Sequence, residues 1–202
     1  MRNISNHDCI VAWSGGVEST ALITQVLAEK KTPLIIHLEI YNNDYHTNQY
    51  QTLAVEHMAD RLDLHVEYIE HRSVIVDMKR SQDFWKQKKY GGGYPILPFW
   101  TSIVFLTQIV NPWCTDIYIG KHLQDGNADT WAVAQKYCEE QGRLFGFESR
   151  LSAPLEHLSK KEQWSLIPRD IKPLVRTCPA NTITPCGVCS KCKEKEKLID
   201  NT

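Results

Sequence analysis

From Asp8 to Trp13 the chain runs through almost wholly apolar residues (DCIVAW). Without polar alternation, such a run predicts a strand buried on both faces of a sheet. Ser14-Gly15-Gly16 follows at once. From Val17 to Lys30 the apolar positions then recur at helical spacing, with Ala21, Leu22, Val26 and Leu27 inward. A second apolar run, Pro33 to Ile40 (PLIIHLEI), stops at Asn42-Asn43-Asp44. Gln49 to Leu62 reads as a helix, and His65 to Ile69 as a third strand. Further on, Trp100 to Val110 reads as an apolar helix and Asp116 to Gly120 as a strand. Strands and helices alternating at this spacing predict βαβ units. The expected fold is therefore a doubly wound α/β domain with a mainly parallel sheet.

Two segments break the rhythm. Lys88 to Pro95 holds three successive glycines, Gly91, Gly92 and Gly93, and reads as a loop, either a surface connection or one that closes over substrate. From Cys178 onward the chain has two prolines, four cysteines and no periodic apolar pattern. We expect a nucleotide-binding unit over residues 1–176 and a short tail over 177–202 packed on it.

Composition narrows the class. The 202 residues carry 23 basic and 24 acidic side chains, a net charge of −1, which argues against a broadly basic nucleic-acid coat. No run of about 18 apolar residues is present to span a bilayer, and the first eight residues lack a signal peptide's apolar stretch, so a cytoplasmic protein is expected. Thiols stay reduced there. The seven cysteines, an odd number, therefore read as metal ligands or reactive groups rather than a disulfide framework.

Two motifs carry chemistry. The first is Ser14-Gly15-Gly16-Val17-Glu18-Ser19, where a buried strand turns into a helix. Glycines let backbone approach an anion, and the helix start offers N–H groups with a favourable dipole; Ser14 and Ser19 add hydroxyls. A phosphate suits this loop. Neither the Walker lysine nor the G-x-G-x-x-G spacing is present. The second motif is Cys178-x7-Cys186-x2-Cys189-x2-Cys192, the spacing of a tetrahedral four-thiolate site, with Gly187 in a tight turn. Iron–sulfur clusters also use four cysteines, so spacing leaves the metal open. A closed four-thiolate shell points to a structural role. Cys9, Cys114 and Cys138 read as buried apolar residues.

The hexapeptide resembles the SGGxDS signature of the PP-loop ATP pyrophosphatases. With the terminal cysteines, it resembles the 7-cyano-7-deazaguanine synthase family. Further matches are Gly120-x4-Asp125, Ala153-Pro154-Leu155 followed by Leu158-Ser159-Lys160-Lys161-Glu162, and Pro185-Cys186-Gly187-Val188-Cys189. Ser159 and Glu162 also form a capping-box pattern. Departures are Glu18 for the usual aspartate, His122 for asparagine, and Leu97-Pro98-Phe99-Trp100-Thr101 where the family carries P-x-R-N; the stretch from Asn127 to Trp131 is also trimmed.

The resemblance implies an adenine nucleotide alpha-hydrolase-like fold with a C-terminal zinc segment. It implies an ATP-dependent C–N ligase that adenylates 7-carboxy-7-deazaguanine, releases pyrophosphate, and forms the amide and then the nitrile with ammonia. Ser14, Gly15, Gly16, Val17, Glu18 and Ser19 would hold the pyrophosphate and its Mg²⁺, with Lys160 adding positive charge. Asp125 would lie near the reacting carboxylate or the magnesium, and Lys121, Tyr94 and Trp100 near the substrate. Structural Zn²⁺ would sit on Cys178, Cys186, Cys189 and Cys192. A homodimer is implied. Two other readings stand beside it: conjugation of the activated deazapurine to a protein amine, and a non-catalytic or tRNA-directed zinc module. Direct nucleic-acid binding is not expected from the charge balance.

Overall fold

A computed structural model describes residues 7–42, 45–46, 49–72, 108, 113–123, 128–178 and 183–199. Its elements in order are β1 (Cys9–Ala12), α1 (Val17–Ala28), β2 (Pro33–Asn42), β3 (Tyr45–His46), α2 (Gln49–Leu62), β4 (Val66–Arg72), β5 (Asp116–Ile119), α3 (Ala128–Phe145), β6 (Arg150–Ser152), α4 (Lys160–Leu166), a 3-10 turn (Lys172–Leu174) and α5 (Ser190–Ile199). The glycine run 91–93 and the helix expected over 100–110 fall outside the described residues, apart from Gln108.

β1 pairs in parallel with β2 on one side and β5 on the other; β4 joins β2 and β6 joins β5, also in parallel. Among the described residues only the short β3 runs antiparallel, against the end of β2. The strand order is thus β4-β2-β1-β5-β6, and chain direction across the sheet reverses between β1 and β5. Open α/β sheets bind ligands at the carboxyl ends of the strands beside such a reversal. That places the site at the ends of β1 and β5.

The unbroken apolar run of β1 has a direct cause. Cys9, Val11 and Trp13 face one buried cluster, with α1, α2, Trp164 and Ile167. Ile10 and Ala12 face the other, with Trp131, Ala134 and Cys138 of α3. Helices on both faces leave no position for a polar side chain. Buried Gln108 ties the lower ends of β5 and β6 together, its amide donating to the carbonyls of Cys114 (2.7 Å) and Glu148 (3.2 Å).

Helix bounds follow local chemistry. α1 starts after extended Gly16 and ends before Lys30, which adopts a left-handed φ of 59°. α4 starts on a complete capping box: the Ser159 hydroxyl accepts from Glu162 N–H, and the Glu162 carboxylate accepts from Ser159 N–H at 2.7 Å. α3 has 18 residues and packs Trp131, Ala134 and Cys138 on the second face of the sheet. Among the described residues no helix is long and apolar enough to cross a membrane.

Candidate functional site

The loop after β1 turns on Gly15, whose φ of +78° favours glycine. A side chain there would also press on Val55 Cγ2 at 3.1 Å. Two hydroxyls organise the turn. Ser19 Oγ accepts from Ser14 N–H at 3.2 Å and lies 3.0 Å from Ser14 Oγ. Helix α1 then begins, and its first intrahelical bond runs from Thr20 N–H to the Gly16 carbonyl at 3.0 Å. The first-turn amides ahead of Thr20 have no carbonyl one turn back to receive them, and the helix dipole makes this end electropositive. The second wall is the end of β5. A Cβ on Gly120 would lie 2.6 Å from Ser19 N and 2.7 Å from Glu18 C, so β5 meets the first turn of α1 backbone to backbone. The position matches the Gly120-x4-Asp125 stretch, and only glycine fits it.

Glu18 is the acidic group at this helix start. An uncompensated carboxylate there would repel a phosphate. Instead its Oε1 lies 2.7 Å from Lys160 Nζ and 3.7 Å from His122 Nε2. Lys160, the first residue of α4, is buried. Burial works against its charge, but Glu18 and Glu194, the latter at 2.8 Å, outweigh that and raise its pKa. Lys121 also has an acidic partner, Glu156 at 2.8 Å. Its carbonyl accepts from buried Gln163 at 2.6 Å, which fixes the backbone just past β5.

Of the site residues expected from the sequence, Ser14, Gly15, Gly16, Val17, Glu18, Ser19 and Lys160 therefore come together around the start of α1. Lys121 sits at the end of β5, and its ammonium stands 5.5 Å from the Trp131 ring centre. Asp125, Tyr94 and Trp100 lie outside the described residues. Trp13 is wholly buried and donates to Thr20 Oγ1 at 3.0 Å, which gives it a core role. Two residues had no functional reading in the sequence. Arg176 donates its N–H to the Gly15 carbonyl at 2.9 Å, and Glu194 reaches Lys160 from α5. Neither carries a local signal, because both act across the fold.

At the tail, the sulfurs of Cys178, Cys186, Cys189 and Cys192 all lie within 4.8 Å of one another. Cys178 is 3.6 Å from Cys186 and 4.0 Å from Cys189, and Cys186 is 3.9 Å from Cys192. One ion with bonds of about 2.3 Å to four sulfurs sets tetrahedral edges of roughly 3.8 Å, so the four thiols fit a single metal ion. Gly187 has the left-handed φ (72°) its turn needs. The amides of Cys189 and Val188, aimed at the Cys186 sulfur, bring its pKa down to about 6, the direction that favours a thiolate ligand. The other three cysteines contrast. Burial pushes Cys9 and Cys114 up to about 12 and Cys138 to about 11, so they are unreactive apolar residues.

The fold has relatives among solved structures. The U34-tRNA thiolase NcsA from Methanococcus maripaludis, solved with its [4Fe-4S] cluster, superposes with a TM-score of 0.51 at 15% identity, over 100% of this chain and 68% of the thiolase. NMN synthetase from Francisella tularensis superposes with a TM-score of 0.50 at 11% identity, over 98% of this chain and 86% of the synthetase. The chain shares their fold. At these identities the likeness extends to architecture alone. No protein-family model matches the sequence, and comparison with curated proteins finds no match.

Proposed function

We propose that the chain is an ATP-using enzyme of the PP-loop type. One observation carries this reading: a glycine–serine loop opens a helix at the reversal point of a parallel sheet, with Lys160 compensating the acidic residue at the helix start. The amides of the first turn of α1 and the hydroxyls of Ser14 and Ser19 would hold the leaving pyrophosphate where charge develops. Mg²⁺, when bound, would supply further neutralisation of that charge. The two solved neighbours, a tRNA thiolase and an NMN synthetase by their descriptions, support nucleotide chemistry on this fold.

For the substrate we propose 7-carboxy-7-deazaguanine, on the combined sequence resemblance of the loop and the terminal cysteines. Its carboxylate oxygen attacks the α-phosphorus of ATP and pyrophosphate leaves. Ammonia then attacks the acyl carbon, loses a proton and expels AMP, which gives the amide. The amide oxygen then attacks the α-phosphorus of a second ATP, with loss of pyrophosphate and a proton, and loss of AMP and a second proton gives the nitrile. The chain's part is to bind, orient and exclude water. We further propose structural Zn²⁺ at the four cysteines, since their spacing fits one ion better than a four-iron cluster, whose sulfurs sit on separate irons and stand further apart. A cytoplasmic homodimer, with a nucleotide-binding part over 1–176 and a zinc tail over 177–202, completes the reading.

The test is direct. Incubated with ATP, Mg²⁺, ammonium and 7-carboxy-7-deazaguanine, the protein should release AMP and pyrophosphate only when the carboxylate is present. Mass spectrometry should show the nitrile. An amide that never dehydrates would shorten the reaction, and no AMP under any condition would overturn the enzyme reading. Gly16→Asp puts a negative charge beside Ser14 Oγ and Glu18. It should lower AMP release at least about 100-fold and leave metal content unchanged.

A further inference from the structure

Two links outside the thiol cluster join the cysteine tail to the glycine loop, one through Arg176 just before the tail and one through Lys160. Arg176, two residues before Cys178, pins the loop through its N–H bond to the Gly15 carbonyl at 2.9 Å. Its guanidinium lies 5.1 Å from the Tyr50 ring centre and donates to the Ile183 carbonyl at 3.1 Å, between Cys178 and Cys186. The second contact comes from α5. This helix carries Cys192 and, two residues later, Glu194, which lies 2.8 Å from Lys160 Nζ; the same ammonium lies 2.7 Å from Glu18 in the first turn of α1. Thus one buried lysine joins the helix of the metal ligands to the helix of the candidate phosphate site.

What places Glu194 is weak without a metal. α5 has 10 residues and buries only Leu198 among its described side chains. A helix shorter than about 12 residues is marginal alone. Further anchors are the thiol cluster at its start, the Thr177 hydroxyl bond to the Lys191 carbonyl (3.2 Å) and the Lys195 bond to the Val175 carbonyl. The first two depend on the tail holding its closed shape, and a metal ion spanning Cys178 to Cys192 would enforce it.

We propose that closing a metal ion among the four thiols orders the glycine loop and the first turn of α1, with Glu194 as a positioning residue acting through Lys160. Arg176 is the backbone pin of the same coupling. This rests on the metal reading above and not on ATP use. The tail is then a clamp on the nucleotide loop as well as a staple at the chain's end.

Amide hydrogen exchange on the full, metal-loaded chain tests it without nucleotide. In Glu194→Gln and Lys160→Met, exchange at Thr20, Ala21 and Leu22 should rise about fivefold, the scale of losing one partly buried ion pair, with metal content equal to wild type. Lys191→Met removes a more distant, exposed partner of Glu194 (3.5 Å) and should change nothing. Chelating the metal from wild type should raise exchange at the same amides, and in Glu194→Gln it should add less than in wild type. Unchanged exchange at these amides in the two loaded variants would overturn the coupling, as would a chain that binds no metal. Where chelation raises exchange everywhere, the loaded variants decide. A protein that fails to use ATP would still answer the question.

Discussion

At the scale of single residues, Gly120 and Gly146 show how one residue type serves two purposes. Gly146 has a left-handed φ of +78° and open space around its missing side chain. Alanine there should cost only the strain of that conformation, about 1 kcal/mol. At Gly120 a methyl would lie 2.6 Å from the backbone nitrogen of Ser19. Backbone in a helix start cannot swing aside as a side chain does, so β5 or α1 must shift, at a cost of about 3 kcal/mol. Urea unfolding of Gly120→Ala and Gly146→Ala should reproduce this order. Equal losses would mean that β5 and α1 are not in backbone contact. The residue scale also explains why Glu18 is tolerated where the resembling family has aspartate. Its carboxylate makes a close contact with a buried ammonium and so does not stand as a bare negative charge at the anion end of the helix.

At the scale of elements, sequence and structure agree where the pattern is strong. The two-faced strand β1, α1 and α2 follow from their apolar spacing, and α2 has the expected bounds Gln49–Leu62. α3 does not announce itself. Trp131, Ala134 and Cys138 are inward, but Val133, Leu144 and Phe145 are exposed, so its apolar residues draw no clean stripe. β6 has three residues, too few to show a period. The loop and the cysteines were legible because their chemistry is local. Lys160 was legible only as a positive charge beside a capping box; its partners come from α1 and α5, which periodicity cannot bring together. The run Lys191 to Lys197 reads as a solvated helix face. In the fold, Glu194 and Lys195 instead tie α5 to the body. This makes a pH prediction. For Glu194, burial alone would raise the pKa, but the Lys160 contact outweighs it and lowers it from 4.5. Its stabilisation is therefore present above pH 4.5 and lost as pH falls through the depressed value. Lys160 is raised from 10.5, so its share is intact below that pH and lost only in strong base. Glu194→Gln should unfold more easily than wild type at pH 7, by under about 1 kcal/mol for so exposed a carboxylate. The gap between the two proteins should close in acid, once pH has fallen below the depressed value. A gap that persists in acid would mean that Glu194 stabilises by packing, not by charge.

For the whole molecule, the seven cysteines divide by place into two groups, three in the body of the fold and four in the tail. Cys9, Cys114 and Cys138 are fully buried, with their thiols pushed up to about 11 or 12, so little reactive thiolate forms while the fold stands. The other four lie at or near the surface apart from Cys178; backbone amides bring Cys186 down to about 6, while burial and the neighbouring thiols push Cys192 up to about 12. A bound ion would shield the exposed and half-buried members of this second group. Brief iodoacetamide treatment at pH 8 followed by mass spectrometry should therefore find no label on the metal-loaded chain. After chelation it should find label on Cys178, Cys186, Cys189 and Cys192, and after denaturation on all seven. Elemental analysis of the same preparation should give one zinc per chain and no iron; a visible absorption band with four irons would reassign the site. Labelling of the tail cysteines before chelation would show that no metal closes them. Labelling of Cys9 or Cys114 on chelation would show that the sheet opens with the tail, so that the four thiols hold the body of the fold as well as its end.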